Sequence, residues 1–249
     1  MAMVALRSVN EVIGYNINAL DGEIGKITDL YFDDTQWIVQ YFVVDTGSWL
    51  SGRSVLISPV TVAGEPDWRK QEVSLLLNRE MVEKSPDIDT EKPVSRQKEL
   101  EIMKYYRWPV YWGEPFNGPV GDIPAEYYEK QLIPEEEEGQ SHLRSVKEVE
   151  GYRIHARDGE IGHVKDFIAE DAQWNLRYLI ADTGTWLPGR KVLIDPLWLE
   201  SVDWSMKEVK VTLSREEIKN SPPYDPSEPI NRDYEGKLYD YYGRPEYWK

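Results

Sequence analysis

Two aspartates, Asp45 and Asp182, stand in the same short motif, and a pair of carboxylates can do chemistry together. Each ends an apolar run and is followed by Thr-Gly, with Ser48 or Thr185 next. When two carboxylates share one proton, one of them can activate water while the other stays protonated. Acid–base hydrolysis is therefore the first hypothesis that the residues suggest.

The duplicated motif is similar to that of pepsin-like aspartic proteases, which carry one apolar-Asp-Thr-Gly element in each lobe. Its surroundings favour a hairpin end, because Ser51-Gly52 and a returning apolar strand soon follow Asp45. In such a hairpin Asp45 accepts backbone N–H groups in a turn and faces Arg53 across it, as Asp182 faces Arg190. An aspartic-protease-like hydrolase using Asp45 and Asp182 stays the first alternative.

The motif belongs to an internal repeat that covers most of the chain. Residues 6–59 align without a gap on residues 143–196, and more than half of the aligned positions are identical. The tails match as well, with Tyr-Tyr-x-x-Pro-x-Tyr-Trp at 105–112 and at 241–248. The predicted segments are repeat 1 (1–84), tail 1 (85–112), an acidic linker (113–141), repeat 2 (142–220) and tail 2 (221–249).

Each repeat is predicted to consist of short strands joined by tight turns. Asp21-Gly22 and Asp158-Gly159 indicate two-residue hairpins, and the broken alternation near Thr28-Asp29 indicates a bulge. Asn78 and Ser214 are expected to cap a short helix. The predicted strands of repeat 1 are Ile24–Phe32, Trp37–Asp45, Arg53–Ile57 and Glu72–Leu77, with equivalents in repeat 2. This pattern predicts a mainly β fold of two tandem small antiparallel barrels.

The strand before each Asp-Thr-Gly shows two faces. In repeat 2 the residues predicted to point inward are Trp174, Leu176, Tyr178 and Ile180. The outward set is more apolar in repeat 1, where it comprises Ile38, Gln40, Phe42 and Val44, than in repeat 2, and so Leu179→Asp is expected to be milder than Phe42→Asp. An exposed face would not need these residues. We predict that the other repeat or a second copy of the chain covers it, and a homo-oligomer stays open.

Each tail is predicted to be a helix followed by an aromatic segment. The helices begin at Ser95 and Asn231, and Gly243 can end the second. The spacing of Tyr234, Leu238, Tyr241 and Tyr242 predicts one apolar stripe. We predict that Tyr111-Trp112 and Tyr247-Trp248 are buried anchors that dock each tail on a barrel. A terminal arm that binds a partner is the alternative.

Composition restricts the function classes. The chain has 249 residues, no cysteine and a formal net charge of −16. Thiolate chemistry is thereby excluded, nucleic-acid binding is disfavoured, and the missing disulfides agree with a cytoplasmic location. No apolar run is long enough for a membrane span. The acidic pairs Asp33-Asp34 and Glu170-Asp171 lie at predicted turns without the plan of a calcium loop, so no metal or cofactor is expected.

The repeats resemble the PRC-barrel family. The residues that carry the resemblance are Gly22-Glu23-Ile24-Gly25, the strand ending in Asp45-Thr46-Gly47, and Trp49-Leu50-Ser51-Gly52-Arg53, with their second copies. That family includes the cytoplasmic barrel of the photosynthetic reaction-centre H subunit and a domain of a ribosome-maturation factor. The resemblance implies a non-catalytic interaction barrel.

The sequence therefore predicts an adaptor or scaffold without enzymatic activity, whose partner is a protein, with a membrane-associated complex among the candidates. A factor for RNA processing or ribosome assembly is the second alternative. The residues predicted as interaction or structural hot spots are Phe42, Asp45, Trp49, Arg53, Trp112, Asp182, Trp186, Arg190 and Trp248.

Overall fold

The computed structural model describes residues 5–89, 92–119, 122–131, 141–184 and 186–249. Over these ranges the protein is mainly β, as predicted, with two sheets and short helices. Two compact units are present: unit I is Val12–Ser145, and unit II is Met1–Glu11 together with Val146–Lys249. The predicted acidic linker lies partly outside the described residues, and Glu135–Glu138 are among those not described.

The helices and strands are short, and their order repeats along the chain. The strands are β1 (Leu6–Ser8), β2 (Asn16–Ala19), β3 (Gly22–Asp33), β4 (Ile38–Asp45), β5 (Ser54–Ile57), β6 (Glu72–Ser74), β7 (Leu143–Ser145), β8 (Arg153–Ala156), β9 (Gly159–Glu170), β10 (Leu176–Asp182), β11 (Lys191–Ile194), β12 (Leu199–Asp203) and β13 (Glu208–Val211). The α-helices are α1 (Val9–Val12), α2 (Arg79–Glu83), α3 (Arg96–Tyr106), α4 (Ala125–Glu129), α5 (Val146–Val149), α6 (Arg215–Asn220) and α7 (Arg232–Tyr242).

The two sheets have matching topologies. In unit I the strand order is β5-β4-β3-β2-β6, and in unit II it is β11-β10-β9-β8-β13-β12. Neighbouring strands are antiparallel except β2–β6 and β8–β13, which are parallel. The long central strands β3 and β9 pair with neighbours on both sides. They are therefore the strands around which each sheet is built.

The first strands of the two repeats are exchanged. β7 pairs with β3 of unit I, with Tyr31 opposite Ser145, and β1 pairs with β9 of unit II, with Ser8 opposite Ile168. The Ser8 hydroxyl donates a hydrogen bond to Asp166, and the Ser145 hydroxyl donates one to the Asp29 carboxylate. The predicted domain boundaries follow the sequence repeat, whereas the compact units follow these sheets.

The local features predicted from turn and cap chemistry are present. β2 and β3 form the predicted hairpin, although its two-residue loop is Leu20-Asp21, because Gly22 already pairs with Ala19. The β3–β4 register shifts between Ile27 and Asp29, which confirms the bulge. Asn78 caps α2 by accepting the amide of Met81, and Ser214 forms a capping box with Glu217. These features need only neighbouring residues, and so the sequence was enough to predict them.

Both faces of β4 and β10 are buried in the folded chain. Phe42 and Val44 are fully buried, as predicted, and Tyr41 on the opposite face is fully buried too. The predicted contrast between the repeats is wrong, because Leu179 and Ala181 are as buried as Phe42 and Val44. A second copy of the chain is therefore not needed to cover this face. Closure of each sheet into a barrel stays a prediction.

Candidate functional site

A groove lies beside the Asp-Thr-Gly turn in each unit. In unit I it has a volume of about 320 Å³ and is lined by the start of β3, the turn after β4, and Trp49. In unit II the equivalent groove has a volume of about 490 Å³ and ends at Trp186. Thr185 lies outside the described residues. The repeat thus places the same kind of groove, with an indole at its rim, on each unit.

Close backbone packing forms the floor of each groove. A Cβ atom added at Gly25 would lie 2.0 Å from the carbonyl oxygen of Asp45, and one added at Gly162 would lie 2.0 Å from that of Asp182. No side chain fits at such distances. The second glycine of Gly-Glu-Ile-Gly is therefore required so that β3 and β9 can approach the Asp-Thr-Gly turns.

The two aspartates stabilise their own turns. Asp45 Oδ1 accepts the amide hydrogen of Gly47 over 2.8 Å, and Asp182 Oδ1 accepts that of Gly184 over 2.9 Å. The Thr46 hydroxyl donates to the carbonyl of Arg53 over 2.7 Å and closes the hairpin from the other side. The predicted Asx-type turn is thus confirmed in both copies. Each carboxylate uses a hydrogen-bonding oxygen to hold the backbone.

The predicted approach of Arg53 to Asp45 is wrong. The guanidinium of Arg53 instead donates to the carbonyl groups of Glu83 and Ser85, and it lies 2.7 Å from the Asp87 carboxylate. Arg190 donates in the same way to the carbonyl of Ser221. Because the last carbonyls of a helix carry partial negative charge, an arginine there stabilises the end of α2 or α6. Sequence spacing placed the arginines on the correct hairpin but could not give their direction.

The indole rings at the groove rims are partly exposed and stacked on arginines. The Arg79 guanidinium lies 4.3 Å from the Trp49 ring centre, and that of Arg215 lies 4.8 Å from the Trp186 ring centre. An arginine over the ring favours one orientation of the aromatic side chain, and both indoles keep part of their surface exposed. A capping role and an interaction role for these tryptophans are both compatible with this geometry.

Both tails form the predicted helices and dock on their own units. We call residues 94–112 strap I and residues 230–248 strap II. Ser95 and Asn231 cap α3 and α7 through their side chains, and Gly243 ends α7 with φ 61°. In strap I the Trp108 ring stacks on Tyr106 at 4.2 Å and lies 6.4 Å from Tyr41 of β4. Strap I therefore covers one face of the unit I sheet.

A charged cluster anchors strap I. Arg96 Nη2 lies 3.0 Å from Asp33 Oδ2, and both side chains are almost fully buried. The Arg96 guanidinium also lies 4.3 Å from the ring centre of Trp112. The Tyr111 hydroxyl donates to Glu99 Oε2 over 2.5 Å, and Glu99 is fully buried. Asp33, predicted as a turn residue, is thus part of the anchor.

Strap II is held by an equivalent set. Glu235 accepts hydrogen bonds from the Tyr178 hydroxyl at 2.7 Å and the Tyr247 hydroxyl at 2.9 Å. Arg232 lies 2.9 Å from Glu235 and 4.4 Å from the ring centre of Trp248. The same chemistry at equivalent positions shows that the repeat includes the way in which each strap docks.

Two details of the strap prediction need correction. Tyr111, Trp112, Tyr247 and Trp248 are only partly buried. The helix face that α7 buries consists of Glu235, Leu238 and Tyr239, whereas Tyr241 is 40% exposed. A hydrophobicity pattern missed Glu235 because a buried carboxyl does not register as apolar. The repeated Arg-x-x-Glu at 96–99 and 232–235 was the available signal.

Truncation after Glu228 is expected to destabilise unit II by at least about 3 kcal/mol. It removes Leu238 and Tyr239, and burial of each such side chain contributes about 1.5–3 kcal/mol. Thermal unfolding followed by circular dichroism measures the effect. Tyr241→Phe, which removes one hydroxyl bond to the Glu217 carbonyl, is the control with a small expected change. An unchanged melting temperature, with rapid proteolysis of the tail in the intact protein, would favour the partner-binding arm.

The described residues contain no group of three His, Asp or Glu side chains arranged to hold a metal ion. A search of the described residues likewise finds no helix with the length and apolar character needed to cross a membrane. The candidate functional features of the structure are therefore one groove with a stacked tryptophan in each unit and one docked strap in each unit.

Comparison with known proteins gives one family. The PRC-barrel domain model matches residues 6–69, which run from β1 to the turn before β6. A search of curated proteins finds no match. The matched range contains the groove residues of unit I together with Gly25, Asp45, Trp49 and Arg53.

Proposed function

We propose that this protein, whose residues 6–69 belong to the PRC-barrel domain family, is a non-catalytic adaptor built from two such domains in tandem. Its partners are proteins, and each unit offers one groove beside its Asp-Thr-Gly turn. The observation that carries the proposal is the duplicated groove with a partly exposed, arginine-stacked tryptophan. Tryptophan and arginine are enriched among the residues that dominate binding energy at protein interfaces.

The roles of the polar groups that the two repeats share support this function over hydrolysis. Asp45 and Asp182 accept turn amides, and Arg53 and Arg190 bind the ends of helices. Side chains used in this way are structural parts of the hairpins. The tryptophans at the rims keep accessible surface and have no equivalent structural hydrogen bond in the described part of the chain.

Two grooves on one chain also favour an adaptor. When a partner, or a complex of partners, presents two copies of a recognised segment, the second contact forms at a high effective concentration. The gain in affinity then needs no strong single site. A membrane-associated complex with repeated subunits is one candidate partner of this kind.

Affinity capture from native cell extract tests this function. The intact protein is compared with Trp49→Ala, Trp186→Ala and the double variant, with Leu197→Ala as the control because Leu197 is 80% exposed and outside both groove linings. Loss of a binding tryptophan is expected to weaken the affinity for a partner by about 30-fold, which corresponds to about 2 kcal/mol of binding free energy. Melting temperatures of all variants establish that the fold is intact.

The outcomes separate the functions. Loss of the same partner from both single variants supports the adaptor, whereas capture that none of the substitutions changes contradicts a role for the grooves. Ribosomal proteins or RNA among the captured material would favour ribosome assembly. Pepstatin-sensitive acid proteolysis that disappears in Asp45→Asn would replace the adaptor by the hydrolase.

A further inference from the structure

The anchor of strap I contains more acidic groups than basic ones. Asp33, Arg96 and Glu99 are buried together, so two carboxyl groups meet one guanidinium. Arg96 lies 3.0 Å from Asp33 but 3.4 Å from Glu99, so the closer ion pair is the one with Asp33. Asp33 also accepts the backbone amides of Thr35 and Gln36. In the described residues, Arg96 is the one cationic side chain within ion-pair distance of either carboxyl.

The anchor of strap II has a second guanidinium, so that each of the two equivalent carboxyl groups is paired with one of its own. Glu170, at the position of Asp33, receives two hydrogen bonds from Arg177, the shorter at 2.7 Å. Glu235, at the position of Glu99, lies 2.9 Å from Arg232. At these two equivalent positions each carboxyl group has its own guanidinium, and a third buried carboxyl group, Asp195, accepts a hydrogen bond from the Tyr239 hydroxyl of strap II. Arg177 also lies 4.3 Å from the ring centre of Tyr247, so it links the sheet to the strap.

Two differences between the repeats account for this contrast. Gln40 occupies the strand position that Arg177 occupies in unit II, and so unit I lacks the second cation. The hydroxyl of Tyr41 makes no hydrogen bond within the described residues, whereas its counterpart on Tyr178 donates to Glu235. Within the described residues, a negative charge on Glu99 would thus be stabilised by Tyr111 and by an Arg96 that it shares with Asp33.

We propose that strap I is a pH-responsive latch: it stays docked while Glu99 is protonated and releases when Glu99 becomes negatively charged, whereas strap II stays docked over the same range. A buried carboxylate without its own cation is costly, and release into water removes that cost. The groups that face Glu99 are Arg96 on its own helix, Asp33 on β3, Tyr41 on β4 and Tyr111 in the following segment.

The direction of the pH dependence follows from proton linkage. Burial raises the pKa of Glu99 to about 8, although Arg96 opposes this shift. A glutamate in the released strap has a pKa of about 4.3. The docked state therefore holds the proton that the released state loses, and docking is strongest below about pH 4.3. It weakens as the pH rises and reaches its lowest stability above about pH 8.

Release would change the surface of unit I. Tyr106 and Trp108, which are 5% and 3% exposed when strap I is docked, would become accessible. A released strap is thus a candidate partner-binding segment under alkaline conditions. The latch rests on the anchor geometry and holds whether or not the grooves bind protein.

Thiol labelling measures the opening of each strap in the full chain. The protein has no cysteine, so a single one can be introduced at Ile102 in α3 or at Leu238 in α7, equivalent positions that are 2% and 0% exposed. Labelling by a pyridyl disulfide is followed from pH 5 to 8. Each rate is divided by that of the same variant in denaturant, which removes the ionisation of the thiol itself. Met103→Cys replaces Ile102→Cys if the latter does not fold.

The corrected labelling rate of Ile102→Cys is expected to increase by up to tenfold per pH unit, because one proton is lost on opening. That of Leu238→Cys is expected to stay constant over the same pH range. Adding Glu99→Gln to Ile102→Cys should abolish the increase and keep labelling at its low-pH rate. Adding Gln40→Arg should reduce the slope by supplying the missing cation. The latch is overturned if Glu99→Gln leaves the slope unchanged, if both straps respond alike, or if Ile102→Cys is never labelled.

Discussion

Phe42→Asp is expected to unfold unit I, and Leu179→Asp is expected to do the same to unit II. Each side chain is fully buried in the central part of its sheet. Truncating a buried phenylalanine alone costs about 3–5 kcal/mol, and an unpaired carboxylate in its place adds several more. A total of this size approaches the whole stability of a typical domain, about 5–15 kcal/mol.

Thermal unfolding and circular dichroism check this expectation, with the two units free to unfold in separate transitions. Leu76→Asp is the matched control, because Leu76 is 61% exposed and its replacement should change stability by less than about 0.5 kcal/mol. A folded Phe42→Asp protein with an unchanged melting temperature would contradict the burial described for β4. The two core variants should be equally severe, in contrast to the milder effect that the sequence predicted for Leu179.

Gly25→Ala and Gly162→Ala are expected to have the second large effect. The added Cβ would lie 2.0 Å from a backbone carbonyl oxygen, so the strand or the Asp-Thr-Gly turn must move. Forced overpacking typically costs about 1–3 kcal/mol and more where backbone is the obstacle. Gly162 has φ +143°, whereas the conformation of Gly25 is open to other residues, so Gly162→Ala should be the more severe.

Gly236→Ala is the control for these substitutions. Gly236 lies inside α7 with no atom within 4 Å of the added Cβ, and alanine favours a helix over glycine by about 0.8–1.0 kcal/mol. Its melting temperature should therefore rise while those of Gly25→Ala and Gly162→Ala fall. Chemical denaturation gives the free energies. Equal changes in stability at the three positions would contradict the close backbone contact described at Gly25 and Gly162.

The sequence by itself determined the local structure of this protein. The hairpin at Asp21-Gly22, the bulge near Thr28, the caps at Asn78 and Ser214 and the two strap helices all depend on neighbouring residues, and they are present as predicted. The turn role of Asp45 was predicted for the same reason, because its acceptor contact is two residues away. The lack of cysteine excluded thiolate chemistry, and the negative net charge disfavoured nucleic-acid binding.

Only the tertiary structure decided which sheet each first strand joins. Leu6-Arg7-Ser8 and Leu143-Arg144-Ser145 are identical, and they pair with equivalent positions of the repeat, residues 168–170 of β9 and 31–33 of β3. Because the two first strands are identical and their partner strands are equivalent, the side-chain pattern does not indicate which sheet each one joins. The exchange was therefore not predictable from the repeat.

The tertiary structure also decided where the long side chains point. Several carboxylates and carbonyls lie near Arg53 in the sequence. The position of the packed helix α2 decides which of them the Arg53 side chain binds. Glu99 is a charged residue of a type usually found at the surface, yet it is buried where Tyr111 of the following segment and Asp33 of β3 meet the Arg96–Glu99 pair of α3. Burial of a carboxyl depends on partners that the sequence places far apart, and this is why the anchor clusters emerge only in the folded protein.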